Sequence, residues 1–427
     1  MPAAPQPTSA PPSSPAGAPP WWRQTWALVW AGGIAMGLAL GVRHVQGLFL
    51  LPITLDRGWS RETFALAMAV QNLVWGLAQP FTGMVADRWG AGKVVAGGLA
   101  LYALGLAGMA LASTPVTFVL CAGVCIGVAQ SGTAFGAIYG ALSRLVPPER
   151  RGWALGMAGA VGGLGQFVLV PAVQGLIAGW GWHATLLLLA LALAAALPLA
   201  AALREPARAD GAASPPPGAP ENQPLRAALR EAFAHRGFWL LNLGFLACGF
   251  QLAFIANHLP AYLLDRGLAP AHAVGALATI ALANVAGTYA CGLLGAKHRR
   301  KHLLAAVYLA RTGTMALFLL LPVSPASLYL FSAAMGLTWL GTVPLTNGLV
   351  AQVFGVRYLT TLFGFVFLGH QIGSFLGVWL GGVVFEATRS YDLVWLAAMA
   401  LGLVSAALHA PIDDREIVRP RPLGSVA

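Results

Sequence analysis

The sequence predicts an all-α membrane protein. It reads as twelve spanning helices in two six-helix halves that repeat one another, with both chain ends on the same side. Three observations carry this. The 427 residues are 58% hydrophobic and only 9% charged, with a mean hydropathy of +0.71, whereas soluble proteins carry about 25% charged residues. Apolar stretches begin near Trp26, Phe64, Val94, Val116, Ala154, Ala184, Gly237, Ala273, Leu303, Leu328, Thr361 and Leu393, each long enough to cross a bilayer. Finally, landmarks recur 209 residues apart: Asp56-Arg57-Gly58 with Asp265-Arg266-Gly267, Gly83 with Gly292, and Gly127, Gly132 and Thr133 with Gly336, Gly341 and Thr342. Such an internal repeat implies two halves with a substrate site between them at mid-depth.

In chain order, residues 1–24 are rich in Pro, Ala and Ser and read as a disordered tail. They lack the basic n-region and short apolar core of a secretory signal. Residues 25–203 hold the first six spans. Residues 204–236 are polar and Pro-rich, the composition of a linker, and within them Leu225 to Ala234 reads as a short amphipathic surface helix. Residues 237–410 hold the second six spans, and residues 411–427 form a second tail.

Lys and Arg set the orientation. With the N-terminus placed in the cytoplasm, most of the 25 basic residues fall in cytoplasmic segments, and the other side holds Arg57, Arg61, Arg266 and Arg389. Both termini are then cytoplasmic, and the net charge of +11 reflects this placement rather than a nucleic-acid-binding face. The cysteines, Cys121, Cys125, Cys248 and Cys291, fall inside apolar stretches without metal-ligand spacing. They read as small apolar packers. No phosphate-binding G-x-x-x-x-G-K-[ST] segment, metal constellation or nucleophile–base pair is visible, so an enzyme and a resident cofactor or metal are not expected.

GMVADRWGAGK, residues 83–93, lies in the loop after span two. It resembles the G-x-x-x-D-R-x-G-x-[RK] signature of the major facilitator superfamily. The resemblance implies a cytoplasmic latch formed by Gly83, Asp87, Arg88, Gly90 and Lys93. The second half carries Ala296 where this acid would stand. Within that superfamily the chain looks like the monocarboxylate-transporter and oxalate–formate-exchanger branch, over all twelve spans and most clearly in GVRHVQGLFLLPITLDRGWSRETFALA. Arg43 falls where animal monocarboxylate carriers have the Lys that meets the substrate carboxylate. Span eight lacks the Asp and Arg of those carriers, so their proton-coupling pair is not carried over. The Gly-Pro motif of drug antiporters is missing from span five, where Pro171 comes late.

The residues point the same way. Arg43 lies near the middle of the first span, where a charge costs at least ~2.5–3.5 kcal/mol. A guanidinium cannot discharge that cost by losing its proton. No Asp or Glu lies deep within any span. An anionic substrate would supply the counter-charge; the plainer alternative is a guanidinium bonded to backbone carbonyls or structural water. His44 lies ~100° around the helix from Arg43 and reads as structural. Asn257 and His258 in span seven, and His370 and Gln371 in span eleven, are candidate substrate or proton groups, since imidazole is the remaining deep side chain that titrates near neutrality. His370 is the deeper histidine; either could equally be a neutral group holding helices together. Gln130 in span four and Trp339 in span ten occupy equivalent places on spans that line the cavity of the resembled family. They are candidate substrate contacts or interhelical glue. Arg311, on a peripheral span, is expected to snorkel or pack.

The expectation is a monomeric, multi-pass inner-membrane carrier for a small organic anion, a monocarboxylate or dicarboxylate, working by alternating access, with proton coupling and exchange both open. The alternative on the same fold is an efflux carrier for amphipathic compounds.

Overall fold

The computed structural model describes residues 24–204, 224–355 and 358–417, and among them it is helical apart from short connections. Ten helical segments are long and apolar enough to cross a membrane. One of them, Met157–Ala202, has 46 residues, roughly 70 Å at 1.5 Å per residue and about twice a bilayer core. It is two spans joined at Gly181, whose φ of 77° and ψ of 169° suit glycine alone. Counting it twice and adding Arg61–Trp89, a 29-residue helix with charges at both ends, gives the twelve crossings in order.

The boundaries follow from local chemistry. The Ser60 hydroxyl accepts from the Thr63 amide and starts span two. Thr114 with Thr117 and Ser324 with Ser327 form capping boxes, each with Pro at the first helical position, which start spans four and ten. Gly90, at φ 94°, turns span two into Ala91–Leu111 in one residue.

Lipid tails are as apolar as Leu, so helices in a bilayer pack through small residues rather than by hiding from water. Span eleven, Leu359–Thr388, carries Gly369, Gly373 and Gly377 on one face. A Cβ there would collide with Asn242 Oδ1, the Leu246 carbonyl and the Phe250 carbonyl of span seven, Arg236–Asp265. Span one meets span five in the same way: a Cβ on Gly165 would stand 2.7 Å from the Gly37 backbone.

Among the described residues, spans one, four and ten are interrupted near their middles. Span one runs Thr25–His44, passes through a 3-10 turn, Gln46–Phe49, and resumes as Leu50–Arg57. Span four has a π-turn at Val119–Cys125 and stops between Ile126–Thr133 and Phe135–Leu145. Span ten is Pro325–Thr338 followed by Thr342–Phe354.

The two halves meet mainly where span two lies along span eleven and span five along span eight, Pro270–Lys297. At the end away from the termini they are tied. Arg61 of span two donates to both oxygens of Asp265 at 2.7 and 2.8 Å and to the Tyr391 hydroxyl at 3.1 Å. Its guanidinium lies over Phe385, and its own amide donates to Glu386 at 2.9 Å. Gly47 rests against the Ala256 and Asn257 backbone nearby.

At the end bearing the termini, the sequence-predicted second tail is described as far as Ile417 and packs on the bundle. Its Asp414 accepts from Arg299 at 2.5 and 3.1 Å, and the Asp414 carbonyl accepts from Gln352. Lys301 donates to the Ile412 carbonyl, and the Ile417 amide donates to Val353. The strap joins the ends of spans nine, Arg300–Leu320, and ten. The Leu225–Ala234 helix leads directly into span seven, with its Phe233 ring against Phe238 and Phe365. Most of the predicted linker, residues 205–223, lies outside the described residues.

Candidate functional site

Arg43 is the second-last residue of the first segment of span one, at the edge of its interruption. Its guanidinium is half-buried and turns toward span two. NH2 donates to Asn72 Oδ1 at 2.5 Å, and Cζ stands 4.9 Å from the centre of the Trp75 ring. Asn72 is held in turn by donating to the Met68 carbonyl at 2.8 Å, and the Trp75 indole donates to Gln79 at 2.9 Å. Both partners of the charge are therefore neutral. The Nε of Arg43 is buried with no hydrogen-bond partner. Among the described residues, no acid forms an ion pair with Arg43.

Ring contacts lead from this cation into the second half. Trp75 meets Phe367 of span eleven edge-on at 5.1 Å, and Phe367 stacks on His370 at 5.4 Å. His370 is also packed on Phe245, and its Nδ1 donates to Gln371 Oε1 at 3.1 Å. Gln371 lies against Gly76, one residue after Trp75, and its Nε2 is buried without a partner. Arg43, His370 and Gln371 thus share one region at the contact of spans two and eleven.

The other sequence-predicted residues fall elsewhere. His44 Nε2 donates to the Leu277 carbonyl of span eight at 3.1 Å, and its ring meets Trp339 edge-on at 6.3 Å, which places Trp339 next to Arg43's neighbour. Gln130 is turned into the first half. It donates to Gln71 and to the Tyr102 hydroxyl, each at 3.3 Å, and Tyr102 donates to the Ala39 carbonyl at 3.2 Å. That network joins spans one, two, three and four. Asn257 donates to its own helix at Ala253. His258 Nε2 donates to the Val378 carbonyl at 2.8 Å, and Nδ1 accepts from Tyr391 at 3.3 Å, so it belongs to the Arg61 cluster. Arg311 is fully buried; packing, not snorkelling, describes it.

In the latch segment, Gly90 makes the turn described above and Gly83 faces open space. Lys93 lines an apolar cavity of about 750 Å³ with Phe81, Val85 and Trp89, away from Arg43. The side chains of Asp87 and Arg88 lie outside the described residues.

Sequence reasoning passed over Asn72 and Trp75. The available signal was Gln71-Asn72, two adjacent amides inside an apolar run, since polar side chains within a span tend to face a partner or a pathway.

Comparison with known proteins agrees with this architecture. Residues 29–377 match the model of the Major Facilitator Superfamily. The chain is 30% identical over 354 residues to human monocarboxylate transporter 11, covering 81% of this chain and 73% of that one. It is 24% identical over 386 residues to the uncharacterised MFS-type transporter YcxA of Bacillus subtilis, covering 86% and 88%. Among solved structures, a bacterial homologue of the human lysosomal transporter Spinster, inward-facing and occupied, superposes with a TM-score of 0.68 at 18% identity, covering 90% of this chain and 95% of that one.

Proposed function

The chain belongs to the major facilitator superfamily, a multi-pass membrane transporter, and from that premise we propose that it carries a small organic anion whose carboxylate is held by Arg43. One observation carries the reading. A permanent cation at the interruption of span one has only neutral partners, Asn72 and Trp75, and keeps a buried Nε donor unpaired. A carboxylate would take that donor in a charge-assisted bond and supply the missing charge where the surroundings are poor in water. The amide of Asn72 and the face of Trp75 hold the guanidinium in place while the site is filled and emptied. The unpaired Nε2 of Gln371 is a second donor on the opposite half.

The printed names of the relatives support the substrate class: the human relative is a monocarboxylate transporter. The basic residues favour cytoplasmic termini, and on that orientation the Arg61 cluster closes the outer side. The halves rock about the site so that it opens to one side at a time. A proton that travels with the anion would sit on His370, the imidazole joined to Arg43 by ring contacts.

The test is uptake into proteoliposomes of labelled propionate, lactate and succinate. The wild type takes up at least one. Arg43→Gln abolishes that uptake with unchanged membrane yield and melting, and Arg43→Lys retains part of it at a raised half-saturating concentration. Full transport by Arg43→Gln removes Arg43 from the mechanism.

A further inference from the structure

Arg311 is the second cation deep in the bundle, and the proposed transport cycle does not use it. It is completely buried, and among the described residues no carboxylate is bonded to it. Its partners are the loose backbone ends where span ten is interrupted. Nε and NH2 donate to the Thr338 carbonyl, NH2 also donates to the Trp339 carbonyl at 2.7 Å, and NH1 donates to Cys248 Sγ at 3.2 Å. From the other side, Asn284 Oδ1 of span eight accepts the Leu340 amide at 3.0 Å, and is itself fixed by the Thr288 hydroxyl at 2.9 Å. Freed backbone groups at membrane depth persist only when something else satisfies them. Here two side chains from two neighbouring spans do so.

The repeat shows that this is a built arrangement. Tyr102 stands 209 residues before Arg311, Gln130 the same distance before Trp339, and Ala39 the same distance before Cys248. Tyr102 bonds Gln130 and Ala39, as Arg311 bonds Trp339 and Cys248. Each half thus has a cross-brace from its third span to its first and fourth. In the second half the brace carries a charge and binds backbone, and the residue that it seats, Trp339, reaches across to His44, beside Arg43.

We propose that Arg311, with Asn284, is a positioning residue that holds span ten open at Trp339–Gly341 and thereby fixes Trp339 against His44 at the edge of the anion site. The fixed fork of the guanidinium matches two successive carbonyls and a thiol at once, a geometry that an ammonium does not reproduce. The link to transport rests on the reading of Arg43 above; the brace itself does not.

Two measurements test it in the full-length protein in lipid nanodiscs. The first is hydrogen exchange, which needs no substrate. Asn284→Ala is expected to speed exchange of the Leu340 amide by about tenfold, the effect of one lost hydrogen bond, with span nine and the rest of span ten unchanged. The second is uptake by Arg311→Lys and Asn284→Ala of whichever probe carboxylate the wild type takes up. Both variants are expected to raise the half-saturating concentration several-fold while keeping the maximal rate. A purely structural role would instead lower yield and maximal rate together. Unchanged exchange at Leu340 in Asn284→Ala overturns the brace. Local exchange as expected with unchanged half-saturation overturns its link to the site. If the wild type takes up none of the probes, the anion reading fails and the exchange result alone decides the brace.

Discussion

Opening of the molecule at the end away from the termini requires Arg61 to leave Asp265. The pair is bidentate, at 2.7 and 2.8 Å, with side chains 14% and 34% exposed. A fully exposed pair would contribute ~0.2–1 kcal/mol, and hydrogen bonds to charged groups in shielded settings ~1.5–3 kcal/mol. Partial exposure places this pair between them, at about 1–2 kcal/mol after discounting for solvent screening. At 1.4 kcal/mol per factor of ten, Asp265→Asn should shift the closed-to-open ratio at this end by roughly 5- to 30-fold. Spin labels on Leu55→Cys and Ala269→Cys, both at exposed positions in opposite halves, report the separation. The parent protein should give one short distance, and Asp265→Asn a second, longer population. The charge-swapped double variant, Arg61→Asp with Asp265→Arg, should recover part of the short one. Identical distance distributions in the parent and in Asp265→Asn would refute the assignment of this cluster as a clasp between halves.

Two further outcomes follow from packing and charge. Gly373→Leu places a side chain where even a Cβ would collide with the Leu246 carbonyl. Overpacking of this kind costs ~1–3 kcal/mol or more, so the variant should melt several degrees lower or fail to accumulate, as followed by a thermal melt of purified protein. The Arg299 guanidinium holds the Asp414 carboxyl below its usual range. The carboxyl binds its proton less readily when folded, so its contribution is complete above pH ~4 and fades as pH falls through the lower, folded value. Asp414→Asn should therefore lower the melting temperature at neutral pH and narrow its gap from the parent as the pH is taken from about 4 toward 2.

The fold was legible because it depends on length, apolarity and repetition, which are properties of stretches. Arg43 was legible for a similar reason, because a lone charge in an apolar run needs a partner wherever the helix turns. Which partner was not legible. Asn72 and Trp75 reach Arg43 from span two, which Gly76 lets lie close against Gln371 of span eleven, and how the spans are set against one another is a tertiary matter that periodicity does not encode. Gln130 illustrates the converse. Its position at the 209-residue equivalent of Trp339 suggested a shared role, yet Tyr102 draws its amide inward, whereas Trp339 has an arginine at its back and faces the other half. Arg311 was assigned by the peripheral rank of its span, and that rank says nothing about carbonyls left free in a neighbouring helix.

Spans seven and eleven touch main chain to main chain at Gly373 and Gly377, and side chains pin the seam on either side, Asn242 on the Phe365 carbonyl and His258 on the Val378 carbonyl. Such a seam is bolted as well as close, and leaves no slack. The pair must travel as a single plank, and whatever bending the cycle needs is pushed into spans one, four and ten, where the rod is already cut.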